Sequence, residues 1–202
     1  MYGKYMKKEN NKTIIIFGLS GSGKSTLANM IAEEYKIRVV HPSGILRNLL
    51  ENKEVDVRNS EYNKGFWESE KGVQVFRDRL KEKFPMDMVS DKILLTELEK
   101  GNLVMDSWSM PWLFKKGVKI YLKCSLSERS RRVSLRSKIS PEESRRIVSM
   151  KDNETQKMFK RIYGFDIKKD FDVFDFILDV KFLDEKQVFE EVMKFLNVYY
   201  KQ

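Results

Sequence analysis

The chain has 202 residues, 41% of them hydrophobic, and 39 basic against 30 acidic side chains give a formal net charge of +9. That length supports one sizeable core and is short for two independent domains. The single cysteine, Cys124, excludes an internal disulfide and fits a reducing compartment. No apolar run approaches the roughly 20 residues of a membrane-spanning helix, and the basic surplus favours polyanionic partners without choosing among nucleic acid, acidic membrane and phosphorylated metabolites.

Taken in order, residues 1–12 are charged and have no apolar centre, so they read as a solvated tail and not as a secretory signal. The run 13–17 is β-branched and aromatic, the pattern of a buried strand. Gly18-Leu19-Ser20-Gly21-Ser22-Gly23-Lys24-Ser25 follows, with the spacing G-x-x-x-x-G-K-[ST] of a phosphate-binding loop. Leu27, Met30, Ile31 and Tyr35 then fall at helical spacing. A strand before and a helix after are the context this motif needs. Its glycines permit backbone angles that turn successive N–H groups inward at a helix N-terminus, where they form an anion nest. Lys24 reaches the outer phosphates and the Ser25 hydroxyl ligates Mg²⁺.

A second strand is expected at 37–41, stopped by Pro42. Ser43 then caps a helix through Ile45, Leu46, Leu49 and Leu50. His41, the only histidine, reads as a packing residue at a strand end. In 52–88, Tyr62, Phe66, Trp67, Val73, Phe76, Leu80 and Phe84 punctuate charged positions, an inserted helical region with Pro85 ending a helix. A helix at 90–100 closes on Gly101.

Leu103–Asp106 is the next strand, with a carboxylate at the end where open α/β sheets bind ligands. Asp106 could instead only cap the following turn. Trp108 and Trp112 come next, either to stack a base or to cover the core edge. A strand at 118–124 places Cys124 as a small core residue. Ser127 caps a helix in which Arg129, Arg132 and Arg136 share one face. Ser140 as N-cap, Pro141 and two glutamates open a helix that runs to Tyr163 and stops at Gly164. A last strand at 176–180 and an amphipathic helix at 184–199 complete the chain.

Strands alternating with helices argue an α/β protein with a parallel sheet. The expected fold is a three-layer α/β/α P-loop NTPase fold with a mostly parallel five-stranded sheet. One domain spans residues 1–202: a core at 13–50, 89–126 and 172–202, a helical acceptor-binding insertion at 51–88 and a helical lid at 127–165. A phosphate loop specifies a nucleotide but no reaction. Small-molecule kinases hold donor and acceptor charge together under an arginine-bearing helical lid. Arg129, Arg132 and Arg136, followed by Arg145 and Arg146, lie where such a lid belongs, unless they form a solvated basic face.

With these residues assembled, the chain from Thr13 to Val180 resembles the nucleoside monophosphate kinases, and within them the archaeal-type cytidylate kinases. Gly18 to Ser25 matches the family phosphate loop. His41-Pro42-Ser43-Gly44-Ile45-Leu46-Arg47 resembles the family segment that carries Ser-Gly and then an acceptor-binding arginine. Gly101-Asn102 with the apolar strand ending at Asp106, Trp112, the arginines from 129 to 136, and Ile162-Tyr163-Gly164-Phe165-Asp166-Ile167 match further family signatures.

The resemblance implies an ATP donor held by Gly18, Ser20, Gly21, Ser22, Gly23, Lys24, Ser25 and Thr26. It implies Mg²⁺ on Ser25 and Asp106, and Lys24, Arg129, Arg132 and Arg136 acting on the transferring phosphoryl group. Ser43, Gly44, Arg47, Asp106 and Trp108 would receive the acceptor, CMP or dCMP. Where the family has Glu-Gly-Arg the chain has Asp106-Ser107-Trp108. Where it has Arg-Glu the chain has Lys151-Asp152, and a later family arginine falls on Met158. Arg and Lys are not equivalent for bidentate phosphate contacts. CMP is therefore expected to be a poor acceptor unless other cations, Arg47 and Arg161 first, supply the charge. Two alternatives stand beside this: a P-loop kinase with another small-molecule acceptor, and a nucleotide-binding regulatory or RNA-associated ATPase, against which no RNA-binding motif is visible. The expected partners are a small-molecule nucleotide acceptor, no nucleic acid and no membrane, for a cytoplasmic monomer.

Overall fold

The computed structural model describes residues 12–57, 65–83 and 85–201. Five strands form one sheet: β1 (Thr13–Phe17), β2 (Arg38–Val40), β3 (Leu103–Asp106), β4 (Val118–Lys123) and β5 (Phe176–Asp179). Their order is β2-β3-β1-β4-β5, and every neighbouring pair is parallel, so the sheet is parallel throughout. The helices are α1 (Lys24–Tyr35), α2 (Pro42–Leu50), α3 (Glu70–Lys81), α4 (Met86–Lys100), α5 (Met110–Leu113), α6 (Leu126–Ser137), α7 (Pro141–Tyr163) and α8 (Glu185–Tyr199). None of them is long and apolar enough to cross a membrane.

Strand β1 is central, and its five residues are all buried. That is why its sequence is continuously apolar and not alternating: a parallel strand covered on both faces has no solvated side. Ile14 and Ile16 face a core with Leu27 and Ile31 of α1 and Val188, Val192 and Leu196 of α8. Ile15 faces the opposite core with Ile45, Leu94, Leu98 and Met110. The result is the three-layer α/β/α architecture. Phe17, the last residue of β1, seeds a third cluster with Met158 and Phe159 of α7 and with Ile167.

The parallel crossovers bring the ends of β1 and β3 side by side. Ile16 pairs in register with Asp106, and the Ser107 N–H donates to Ile16 O at 3.0 Å. The chain therefore switches direction between β1 and β3 where the phosphate loop leaves the sheet, the place where open α/β sheets hold ligands.

Several boundaries differ from the sequence reading. Pro42 does not end a strand; it is the first residue of α2, where its fixed φ and missing N–H suit a helix start. His41, not Ser43, occupies the N-cap position, without a side-chain cap bond. Ser125, not Ser127, caps α6 by accepting from Glu128 N at 3.3 Å. Helix α3 ends at Lys81, ahead of Pro85, which instead precedes α4; α4 starts at Met86, four residues before the expected 90. The one-turn α5 was not anticipated. Caps at Ser140 and Gly164 fall where the sequence placed them, and Asp184, read as the first residue of the last helix, is its N-cap. The tail to residue 11 and the aromatic markers Tyr62 and Phe84 lie outside the described residues.

Between β2 and α4 the chain makes a short 3-10 turn, Phe66–Glu68, then enters α3 through Ser69. The Ser69 hydroxyl accepts from Gly72 N at 3.1 Å and donates to Phe66 O at 2.7 Å. Gly72 closes this corner: a Cβ there would overlap the Phe66 carbonyl oxygen and press on the Trp67 backbone. Since the neighbours are backbone, they yield little. Gly72→Ala is expected to cost about 1–3 kcal/mol through overpacking, read as a lowered midpoint in urea denaturation. An unchanged midpoint would mean the 66–72 corner is loosely held.

Candidate active site

The site starts from the phosphate loop. Gly21 has φ +82° and Gly23 φ +96°, in the left-handed region where a Cβ is disfavoured. At Gly21 there is a second reason. A Cβ would come within 2.6 Å of Arg129 O, so the loop lies directly against α6. Gly18 serves packing: a Cβ there would run into the Ser22 hydroxyl and Leu122 O. Ser20, Gly21, Ser22, Gly23, Lys24, Ser25 and Thr26 all line one large cleft, and Gly18 lies behind it.

Lys24, first residue of α1, holds its Nζ 3.5 Å from Leu19 O and 5.7 Å from the centre of the Trp108 ring. Burial pulls its pKa down to about 8, with Arg129 and Arg136 adding to the fall and Asp106 and Asp152 opposing it. The Ser25 hydroxyl donates to Asp106 Oδ2, while Asp106 Oδ1 lies 2.8 Å from His41 Nδ1. His41 Nε2 in turn lies 3.1 Å from Asn29 Oδ1. The single histidine is thus more than packing, since both of its ring nitrogens are engaged and it orients Asp106. Asp106 does not cap the next turn; Ser107 does, with its hydroxyl accepting from Ser109 N and Met110 N.

A hydroxyl and a carboxylate side by side at the mouth of the loop are hard oxygen donors of the kind Mg²⁺ takes, with phosphate and water completing its shell. Ser25 and Asp106 therefore fit the ion. Among the described residues no group of three or more His, Cys, Asp or Glu side chains could cage a metal alone, so such an ion would need further ligands from outside the protein.

The three arginines of α6 part company. Arg132 and Arg136 line the cleft; Arg129 does not. Arg129 is buried, and its guanidinium donates to Cys124 O at 3.1 Å, Ser20 O at 3.1 Å and Asp152 Oδ2 at 2.7 Å. It fastens the phosphate loop to α7 instead of reaching over phosphate. Arg132 donates to Glu128 and to Val180 O. Arg136 donates to Glu68 Oε2 at 2.8 Å, and Lys151 of α7 donates to Glu68 Oε1 at 2.6 Å. Burial pushes the Glu68 carboxyl up, but the two cations outweigh it and hold its pKa below the usual carboxylate range.

On the acceptor side Ser43 lines the cleft, while Gly44 is buried inside α2 and neither it nor Arg47 reaches the cleft wall. The Arg47 guanidinium stacks on the Phe66 ring at 3.9 Å and pairs with Glu51 at 3.3 Å. Arg161 is exposed and also lies off the cleft. The two tryptophans take different parts. Trp108 lines the cleft; Trp112 donates to Asp170 O at 2.8 Å and stacks on Phe165 at 4.8 Å, covering the core edge.

Several cleft residues were not read as site residues from the sequence: Glu68, Arg79, Asp87 and Asp91, as well as Trp67, read only as an aromatic of the insertion, and Lys151, read only as a replaced arginine. Arg79 pairs with Asp87 at 2.6 Å, both buried. Asp91 accepts from Ser109 Oγ at 2.8 Å and Tyr163 Oη at 2.6 Å, and burial pushes its carboxyl up to about 6 against those bonds. The cleft encloses about 1280 Å³, above the 300–1,000 Å³ usual for one small ligand. It has room for two nucleotides.

Residues 13–181 match the model of the Cytidylate kinase-like family. The cytidylate kinase of Ignicoccus hospitalis is 28% identical over 185 residues, covering 91% of this chain and 98% of its own. That of Pyrobaculum islandicum is 30% identical over 172 residues, with 84% of each chain covered. Among solved structures, shikimate kinase from Bacteroides thetaiotaomicron superposes with a TM-score of 0.56 at 14% identity, over 93% of this chain and 98% of that one. At that identity the likeness is one of fold.

A lysine with a pKa of about 8 must be charged to hold phosphate. ATP affinity is expected to be flat below pH 8 and to fall above it as Lys24 loses its proton. Lys24→Arg, charged throughout, should remove that fall. Equilibrium titration of ATP on both sides of this pH checks it; an unchanged affinity in the wild type above pH 8 would contradict the assignment.

Proposed function

The chain belongs to the Cytidylate kinase-like family, and we propose that it transfers the γ-phosphoryl group of ATP to a nucleoside monophosphate, CMP or dCMP. The observation that carries this reading is a single large cleft lined both by the phosphate loop with Lys24 and by a further set of cations, Arg79, Arg132, Arg136 and Lys151. Two phosphate-bearing ligands meeting head to head need that arrangement.

In this reading the loop from Ser20 to Thr26 cradles the donor phosphates, and Lys24 stays with the phosphoryl group as it moves. Ser25 and Asp106 would hold Mg²⁺, which would supply charge neutralisation at the transferring phosphoryl group. Arg132 and Arg136, on the α6–α7 hairpin, act as lid cations on the transferring group. Arg129 serves by fixing the loop from behind. The segment from 51 to 88 receives the acceptor with Ser43 and Trp108. An acceptor phosphate oxygen is already anionic, so positioning and charge suffice without a strong base. The setting is cytoplasmic, and one subunit supplies every group named.

The resemblance places Trp108 where a phosphate-binding arginine is expected. Arg79, Arg136 and Lys151 line the cleft where Arg47 and Arg161 do not, and in this reading they supply the cationic charge toward the acceptor.

Lys24→Ala should remove phosphoryl transfer to every member of a CMP, dCMP, UMP, AMP and GMP panel. It should leave the denaturation midpoint unchanged or raised, because a buried lysine with a lowered pKa does not stabilise the fold. Transfer is read as ADP formed and diphosphate product separated by chromatography. Wild-type ATP consumption with no nucleotide product would overturn the reading.

A further inference from the structure

The order β2-β3-β1 sets the end of β3 between two neighbours. Val40 pairs in register with Met105 on one side, and Ile16 with Asp106 on the other. His41, the residue after β2, and the phosphate loop with α1, after β1, therefore flank the Asp106 carboxylate. His41 has little backbone freedom there. Strand pairing precedes it, and Pro42 follows and favours the extended conformation it adopts, φ −108° and ψ 95°. His41 is buried, 4% exposed. Its Nδ1 lies 2.8 Å from Asp106 Oδ1 and donates to it, because a carboxylate only accepts. Its Nε2 lies 3.1 Å from Asn29 Oδ1, and an amide can turn either its oxygen or its nitrogen to the ring. Ser25 donates to the other Asp106 oxygen. Ser25 and Asn29 stand one turn apart on α1, so the four side chains close a ring that starts and ends on one helix.

We propose that His41, braced by Asn29, is a positioning residue that fixes the Asp106 carboxylate for a divalent ion on the donor phosphates. The proposal rests on the phosphotransfer reading for the presence of that ion. A carboxylate turns about its last torsion with little resistance, and Lys24 draws on this one from the same cleft. With Oδ1 committed to His41, the carboxylate is not free to turn. Oδ2 and the Ser25 hydroxyl are then the oxygens left for an ion. Side chains that hold a metal's ligands in this way govern its affinity without touching it. The brace separates this role from a structural tie between β2 and β3. Those strands are already joined by their own ladder, and Asn29 belongs to neither. A side chain needed only to join them has no use for a partner on α1.

The test is calorimetric titration of ATP against the full chain, once with Mg²⁺ and once with the metal chelated. The quantity read is the gain in ATP affinity that Mg²⁺ brings, and wild type should show one. His41→Leu should shrink the gain by about tenfold or more and leave metal-free ATP affinity unchanged. His41→Asn keeps an N–H donor at the δ position and should restore most of the gain. Asn29→Ala removes the brace from an exposed position and should lower the gain in part. These two variants provide the readout if His41→Leu fails to fold. In an Asp106→Asn background His41→Leu should change nothing further, because its effect runs through that carboxylate. A wild type with no gain would overturn the proposal. So would a His41→Leu variant that weakens ATP equally with and without the metal, a His41→Asn variant no better than His41→Leu, an Asn29→Ala variant with the full gain, or additive effects of His41→Leu and Asp106→Asn. A gain lost in His41→Leu, with no phosphoryl transfer by wild type to any nucleoside monophosphate, would uphold the role of His41 and overturn the phosphotransfer reading. Transfer with a gain that His41→Leu leaves intact would do the reverse.

Discussion

The ion pair between Arg129 and Asp152 is the interaction on which the cleft depends. Both side chains are almost fully buried. A buried pair is favourable only when its remaining hydrogen-bonding capacity is met, since the desolvation of two charges can exceed their attraction. Arg129 meets much of its own through Cys124 O and Ser20 O. Ser20 belongs to the phosphate loop, Arg129 to α6 and Asp152 to α7, so one guanidinium sets the distance between loop and hairpin. Burial nevertheless pushes the Asp152 carboxyl up, even against Arg129. The pair is held by its geometry, and a shorter cation at 129 could not reach three acceptors at once. The close approach of Arg129 O to Gly21 follows from the same packing.

From that fixed point the charges of the cleft arrange themselves in pairs. The net charge of +9 does not appear there as a bare cationic wall. Arg79 faces Asp87, Arg136 and Lys151 share Glu68, and Arg132 faces Glu128. Lys24 is the exception. Asp106 and Asp152 do not offset its burial, and its pKa falls. A lysine in that condition gains most from an arriving phosphate, because the phosphate restores the charge that burial disfavours. Loop chemistry and electrostatics therefore agree on where the first anion binds.

The legible part of the sequence was the local part. The phosphate loop, the five strands and the caps at Ser140 and Gly164 are each specified by neighbours within a few residues. The arginines at i, i+3 and i+7 do mark a helix face. Spacing says nothing about what that face meets, and so Arg129 was read beside Arg132 and Arg136 when it points at Ser20 and Asp152. His41 was read as packing because its partners, Asn29 and Asp106, lie 12 and 65 positions away. Glu68, Arg79, Asp87 and Asp91 have the look of solvated helix charges in sequence. Only tertiary packing turns them inward: Glu68 to Arg136 and Lys151, Arg79 to Asp87, and Asp91 to Ser109 and Tyr163. The Lys151-Asp152 pair, read as lost charge, makes two buried contacts that no local pattern announces: Glu68 is 83 positions from one and Arg129 is 23 from the other.

These two contacts also couple the halves of the proposed mechanism. Lys151 and Asp152 are adjacent on α7, one tied to the 66–68 turn and the other, through Arg129, to the phosphate loop. In the ligand-free chain the Glu68 carboxylate lies between Arg136 and Lys151. Both cations are therefore neutralised, which removes the desolvation cost that bare Arg136 and Lys151 would carry. Two adjacent residues of one helix thus tie three separate parts of the chain together, because Lys151 meets the 66–68 turn while Asp152 meets Arg129 and, through it, Ser20.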